Sequence, residues 1–203
     1  LCVNPDLDYA KVKAADGYTY VMACSLLDKV LGPLAKDGMP AYEILETYKG
    51  TDLVGIDYEP LYACAAEAAA KQHKRAHFVI ADGYVTADDG TGIVHIAPAF
   101  GEDDARVGRE NGFPLIKFVD EKGVMTEETP FAGMRCKPTE KEMAAGAISA
   151  DPEVLKDLSA RKLLFDAPKF THSYPHCWRC DTPLIYYARE SWFIKMSAVK
   201  DDL

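Results

Sequence analysis

One stretch of fifteen residues joins a turn, an apolar strand, a histidine and an acidic helix start: Gly90-Thr91-Gly92-Ile93-Val94-His95-Ile96-Ala97-Pro98-Ala99-Phe100-Gly101-Glu102-Asp103-Asp104. Asp89-Gly90 at its start is a two-residue hairpin signal, which predicts pairing of a strand at 84–86 with a return strand from Ile93. Alternation along the return strand puts the His95 ring on the face opposite its apolar neighbours, and Pro98 ends the ladder. The pattern predicts a strand end and a helix start that meet at one rim.

The acids at the end of this stretch open a predicted helix that stops at Gly112 and Pro114. Successive helical residues point about 100° apart, so Glu102, Asp103 and Asp104 cannot all face one ligand. Acids in a first helical turn commonly do no more than complement the helix dipole, and a lone strand histidine is commonly a structural group. Spacing alone therefore leaves a polar binding pocket and a purely structural rim as alternatives.

The rest of the chain reads as short strands with a few helices between them. Asp16-Gly17 predicts a hairpin of 9–13 with 18–22, and Ser25 is the predicted N-cap of a helix through Leu31. Further strands are predicted at 42–49, 77–80, 115–119 and 163–165, and further helices at 139–146 and, with Asp151 as N-cap, 151–161. The Ala-rich residues 64–74 are helical in propensity and are predicted to form a loop or a helix. This mixture predicts a β-rich α+β fold around a closed or nearly closed sheet.

Composition narrows the class of protein. With 203 residues, 48% of them hydrophobic and 27% charged, the chain can bury a sizeable core without disulfides. The cysteines are scattered, which predicts reduced thiols and a cytoplasmic protein, and no apolar run has the length of a membrane span. The net charge of −9 argues against independent binding to DNA or to an RNA duplex, because phosphate contacts depend on Lys and Arg.

Beyond residue 166, prolines interrupt a run rich in aromatic residues. Cys177 and Cys180 form a CxxC pair there, the usual half of a tetrahedral zinc site. No second CxxC is present, while His172 and His176 lie nearby in the sequence. Three interpretations stay open from spacing alone: a half-site completed by ligands outside the chain, unmetallated thiols, or a local complete site.

The stretch from Gly90 to Asp104 closely resembles the signature of the post-transfer editing domain of isoleucyl-tRNA synthetases. The leucyl and valyl relatives usually carry Met or Lys in place of His95 and His-Asp in place of Phe100-Gly101, so the resemblance is to the isoleucine branch. Further agreement comes from KGTDLVG (49–55), YEPL (58–61), FAGM (131–134) and HSYPHCWRC (172–180). The resemblance covers nearly the whole chain and is weakest at the Ala-rich residues 64–74.

The resemblance implies an editing domain at 1–166 with a six-stranded barrel-like core and peripheral helices. Residues 167–203 would be an exit ribbon that returns to the catalytic core of the synthetase. The implied activity is hydrolysis of mischarged valyl-tRNA(Ile). Asp104 would bind the α-ammonium of the aminoacyl group, His95 would limit the side-chain pocket, and Phe100 and Gly101 would supply its wall and a close backbone approach. No catalytic group is assigned.

The implied partners are the aminoacylated 3′ end of tRNA(Ile) and the remainder of the synthetase. Editing needs no cofactor, ATP and magnesium belong to the absent catalytic domain, and Cys177 and Cys180 would share a structural zinc with ligands outside the chain. The family's Thr-rich segment is expected upstream of Leu1, so weak or absent activity is expected of the isolated chain. The alternatives are a zinc-ribbon interaction module, a noncatalytic structural insert, or the editing domain of a valyl or leucyl relative.

Overall fold

Six strands form two three-stranded sheets in the computed structural model, which describes residues 1–36, 38–169, 171 and 173–200. The strands are β1 (Cys2–Val3), β2 (Asp8–Ala14), β3 (Thr19–Ala23), β4 (Tyr42–Lys49), β5 (Ile80–Ala81) and β6 (Ile93–Val94). The helices are α1 (Leu27–Leu31), α2 (Gly50–Leu53), α3 (Ala63–Lys71), α4 (Glu102–Glu110), α5 (Glu140–Ala144), α6 (Ala150–Ala160) and α7 (Met196–Val199).

The larger sheet has the order β3-β2-β4 and is antiparallel throughout. It contains the predicted hairpin at Asp16-Gly17 and the predicted strand at 42–49, and both predictions are confirmed. Ala10 and Val12 of β2 are fully buried against Leu27 and Leu31 of α1. Because burial of apolar side chains drives folding, this contact between β2 and α1 forms one of the cores of the molecule.

The smaller sheet has the order β5-β1-β6, with β1 parallel to β5 and antiparallel to β6. The predicted hairpin at Asp89-Gly90 is wrong, because β6 pairs with β1 and residues 84–86 form no strand. The Tyr84 amide instead donates to Asp82 Oδ1 at 3.0 Å, which folds residues 82–84 into a local turn. The strand predicted at 77–80 is confirmed only at Ile80.

Among the helices, α3, α4 and α5 lie where the sequence predicts them, and Thr139 caps α5 in a capping box with Glu142. The cap predictions at Ser25 and Asp151 are wrong. A short 3₁₀ turn at Cys24–Leu26 precedes α1, and α6 begins at Ala150, so Asp151 lies inside the helix. The strands predicted at 115–119 and 163–165 are absent from the described residues.

The α+β class is confirmed, with the two sheets as separate units in the described residues. The closed six-stranded barrel that the resemblance implies stays a prediction. Within the described part of the chain, no helix combines the length and the apolar character needed to cross a membrane.

Candidate functional site

The loop between β6 and α4 carries the residues that the sequence singles out. The Phe100 amide donates to the Ala97 carbonyl at 2.8 Å and closes a turn, which leads through Gly101 into α4. Asp104 is half-buried and its Oδ2 accepts the Ala97 amide at 3.0 Å, whereas Glu102 and Asp103 are exposed. Burial therefore selects Asp104 as the acid that faces the loop.

Gly101 leaves room for this carboxylate. A Cβ atom on Gly101 would lie 2.8 Å from Asp104 Oδ2, too close for any side chain without a shift. The other carboxylate oxygen, Oδ1, lies 3.5 Å from the Tyr84 hydroxyl, a long hydrogen bond. Burial raises the pKa of Tyr84, so this hydroxyl stays protonated and can act as a donor. Oδ2 of Asp104 thus accepts a well-formed hydrogen bond, whereas Oδ1 accepts only a long one.

Helix α4 is fixed against the smaller sheet by an ion pair. Arg106 donates from two nitrogens to Asp82 just after β5, at 2.9 Å to Oδ2 and 3.1 Å to Oδ1. The Arg106 guanidinium holds the pKa of Asp82 below its usual range. A bidentate pair of this kind restricts orientation as well as distance, so the first turn of α4, with Asp104, has a defined position relative to the sheet.

A cavity of about 360 Å³ lies beside this loop. Its lining includes His95, Ala97 and Phe100, while Asp104 and Gly101 lie outside that lining, behind Ala97. Most of the rest is aromatic or aliphatic: Tyr58, Tyr62, Ile96, Phe113, Ile116, Phe118, Met125, Phe131 and Val154. A concave apolar space with a few polar groups is typical of a small-ligand site.

Two histidines line the cavity, His95 and His77. Burial lowers the pKa of both rings, and for His95 the Asp104 carboxylate opposes that effect. His95 is exposed by surface area, yet neighbouring atoms still remove enough water from its ring to disfavour the charged form. Both imidazoles are therefore biased towards the neutral state.

His77 is a cavity residue that the sequence interpretation missed, since it assigned His77 only to a strand. Its backbone has φ of 60°, in the left-handed region that non-glycine residues rarely adopt. Its ring contacts the Tyr58 ring edge-on, with 5.8 Å between the centroids. Strained backbone positions of this kind are common at functional sites, but no sequence pattern predicts where they occur.

No protein-family model matches the chain. Comparison with known proteins gives 40% identity over 204 residues to an isoleucine–tRNA ligase of Clostridium kluyveri. An isoleucine–tRNA ligase of Bacillus thuringiensis is 41% identical over 202 residues, and one of Clostridium tetani is 40% identical over 207 residues. The whole chain is similar to one segment of isoleucine–tRNA ligases. The matches include 99–100% of this chain, and the chain spans 17% of the length of each relative.

The CxxC pair lies on a short turn, where the Cys177 amide donates to the Thr182 carbonyl at 2.9 Å. Cys180 Sγ lies 2.9 Å from the Thr182 hydroxyl, and hydrogen bonds from Thr182 and Cys177 lower the pKa of Cys180. Two sulfur donors on one turn fit half of a tetrahedral zinc site. The described residues contain no group of three or more possible metal ligands, and His172 lies outside them.

Proposed function

We propose that this chain is the post-transfer editing segment of an isoleucyl-tRNA synthetase and that it hydrolyses the ester of valyl-tRNA(Ile). Similarity to isoleucine–tRNA ligases along the whole chain supports the enzyme class. The observation that supports the editing role is the placement of Asp104, a half-buried carboxylate held by the Ala97 amide directly behind an apolar cavity.

The need for such a site follows from the chemistry of selection. Isoleucine and valine differ by one methylene, which an apolar pocket distinguishes by only about 1–3 kcal/mol, and isoleucyl-tRNA synthetase is itself the standard example of this limit. A second site that admits the smaller side chain and excludes the larger one raises the accuracy. An apolar cavity beside a carboxylate that can accept an ammonium group would meet that requirement.

The proposed roles follow from the contacts. Asp104 Oδ2 is committed to the Ala97 amide, while Oδ1 has only the long contact with the Tyr84 hydroxyl, so Oδ1 can accept a charge-assisted hydrogen bond from the α-ammonium. Neutral His95 and Phe100 would limit the space for the side chain. Gly101 would leave room for the Asp104 side chain, because a Cβ there would lie 2.8 Å from Oδ2.

The proposal extends to the whole protein. Residues 1–166 would form the editing domain with a barrel-like core, and residues 167–203 would lead back to the catalytic domain of a cytoplasmic enzyme. The partners would be the aminoacylated 3′ end of tRNA(Ile) and the rest of the synthetase. Cys177 and Cys180 would supply half of the ligands of a structural zinc, whose role is to hold the two thiolates and their external partners together.

Asp104→Ala in the full-length synthetase tests the proposal. We expect hydrolysis of valyl-tRNA(Ile) to fall by about 10- to 100-fold, because the ammonium loses a charged partner worth about 1.5–3 kcal/mol. Activation of isoleucine stays unchanged. Asp103→Ala is the matched control, since Asp103 is the exposed neighbour in the same helical turn. Equal hydrolysis by Asp104→Ala and the wild type would contradict the proposal and favour a noncatalytic insert.

A further inference from the structure

The Ala-rich segment has no assigned role, yet it contributes directly to the cavity. Helix α3 and the residue before it supply Tyr62, Cys64 and Ala65 to the lining, next to Phe131 and Val154. Tyr62 is the bulkiest of the three. Its ring meets the Phe131 ring edge-on, with 5.5 Å between centroids and an interplanar angle of 86°. A change at Tyr62 would therefore change the volume of the cavity.

Tyr62 is fixed by helix α6. Its hydroxyl donates to Asp157 Oδ2 at 3.0 Å, and the Arg161 guanidinium lies 5.1 Å from the centre of its ring. Arg161 also pairs with Asp157 at 3.0 Å and donates to the Leu61 carbonyl at 2.6 Å. Burial, with Asp157 as the next cause, raises the pKa of Tyr62 to about 12, so the hydroxyl remains a donor at neutral pH.

The far end of α3 is tied down as well. Gln72 uses both atoms of its amide on the backbone of Leu115, with Nε2 donating to the carbonyl at 2.9 Å and Oε1 accepting the amide at 3.1 Å. Lys74 donates to the Phe113 carbonyl at 3.2 Å. Phe113 itself lines the cavity. Both ends of the helix therefore make contacts that oppose a displacement of the Tyr62 wall.

We propose that Tyr62 is a specificity-determining residue of this cavity and that Asp157 is its positioning residue. This inference rests on the proposed editing function and deepens it. A sieve distinguishes side chains that differ by one methylene only if its walls resist displacement, because a yielding wall lets the larger group in at little cost. The contacts with α6 supply that resistance, and they give the residue before helix α3 a role in choosing the aminoacyl group.

The test compares kcat/KM for hydrolysis of isoleucyl-tRNA(Ile) and valyl-tRNA(Ile) by variants of the full-length synthetase. Tyr62→Ala should raise the ratio of isoleucyl to valyl hydrolysis by about 10-fold or more, the range expected for one methylene. Tyr62→Phe keeps the ring and should shift the ratio far less. Asp157→Ala should give an intermediate shift, because the ring stays but its anchor is lost. Lys156→Ala, on the exposed face of α6, is the matched control and should leave the ratio unchanged.

Tyr62→Leu covers the case in which thermal melts show that Tyr62→Ala does not fold, since leucine fills part of the space. A wild-type enzyme that fails to hydrolyse valyl-tRNA(Ile) would overturn the editing function itself. A wild type that hydrolyses it, with an unchanged ratio in folded Tyr62→Ala or Tyr62→Leu, would overturn the role of Tyr62 alone. An unchanged ratio in Asp157→Ala would overturn the positioning role.

Discussion

His95 lies one residue beyond β6, where the chain leaves the sheet and turns towards α4. His95 lines the cavity, as do Ala97 and Phe100 of the same loop. Burial lowers the pKa of His95, so at neutral pH the ring is biased towards an uncharged, flat group of fixed size. These properties suit a residue that limits the volume of the cavity. If His95 instead transferred a proton, its substitution would change hydrolysis in a different way.

His95→Ala should therefore let the full-length synthetase hydrolyse isoleucyl-tRNA(Ile), with a smaller change in valyl-tRNA(Ile) hydrolysis, because the wall is cut back. His95→Phe keeps the bulk and removes the nitrogens, so its selectivity should stay near that of the wild type. Both rates are measured by deacylation of purified charged tRNAs. A loss of valyl hydrolysis in both variants would mean that the imidazole nitrogens act in the chemistry.

At the scale of the elements, four helices of the described residues, α3, α4, α5 and α6, end in the same way. The residue after each C-cap has a positive φ, and its amide and the next amide bond back to the last turn. Gly112 and Gly146 occupy this position after α4 and α5, but His73 and Lys162 occupy it after α3 and α6, with φ of 52° and 58°. Glycine adopts this conformation without the Cβ clash of other residues.

His73→Gly and Lys162→Gly should each raise the free energy of unfolding by about 0.5–1 kcal/mol, because relief of the left-handed strain exceeds the entropy gained by the unfolded chain. Gly112→Ala and Gly146→Ala are matched controls, and each should lower the free energy of unfolding. Urea unfolding of the 203-residue chain gives all four values. Destabilisation by both glycine substitutions would show that side-chain contacts of His73 and Lys162 outweigh the backbone strain.

Elements with local patterns could be predicted from the sequence, and elements decided by distant partners could not. The β2–β3 hairpin follows from Asp16-Gly17 and its flanking alternation. The hairpin at Asp89-Gly90 fails because two-residue β1, too short for any pattern, lies between β5 and β6. At the start of 115–119 the Gln72 side chain occupies the Leu115 amide and carbonyl that a ladder would use, and at its end Val119 forms only an isolated bridge with Met125.

The residues of the candidate site likewise fall into those that could be predicted from the sequence and those that could not. Asp104, His95, Phe100 and Gly101 lie in one continuous stretch, so the resemblance could identify them together. Tyr62 and His77 come from other parts of the chain and reach the cavity only through the fold. Their signals, an aromatic residue before an Ala-rich helix and a histidine in an apolar segment, are too common to predict a site.

On the scale of the whole molecule, the two predicted segments meet at the candidate site. The Ala188 amide donates to the Ala99 carbonyl at 2.8 Å, and the Tyr187 ring contacts the Phe100 ring with 5.9 Å between centroids. The Tyr187 hydroxyl also donates to the Val119 carbonyl at 2.9 Å. The part of the chain that would lead to the catalytic domain thus contacts the loop that carries the proposed editing residues.

In the proposed editing site, Asp104 binds the α-ammonium of an aminoacyl ester. The most direct test measures the Asp104→Ala effect on hydrolysis of valyl-tRNA(Ile) and of the same tRNA carrying 2-hydroxyisovalerate, which replaces the ammonium with a hydroxyl. If Asp104 binds the ammonium, we expect a loss of about 10- to 100-fold on the valyl ester and little loss on the hydroxy ester. Equal losses on both esters, or none on either, would contradict it.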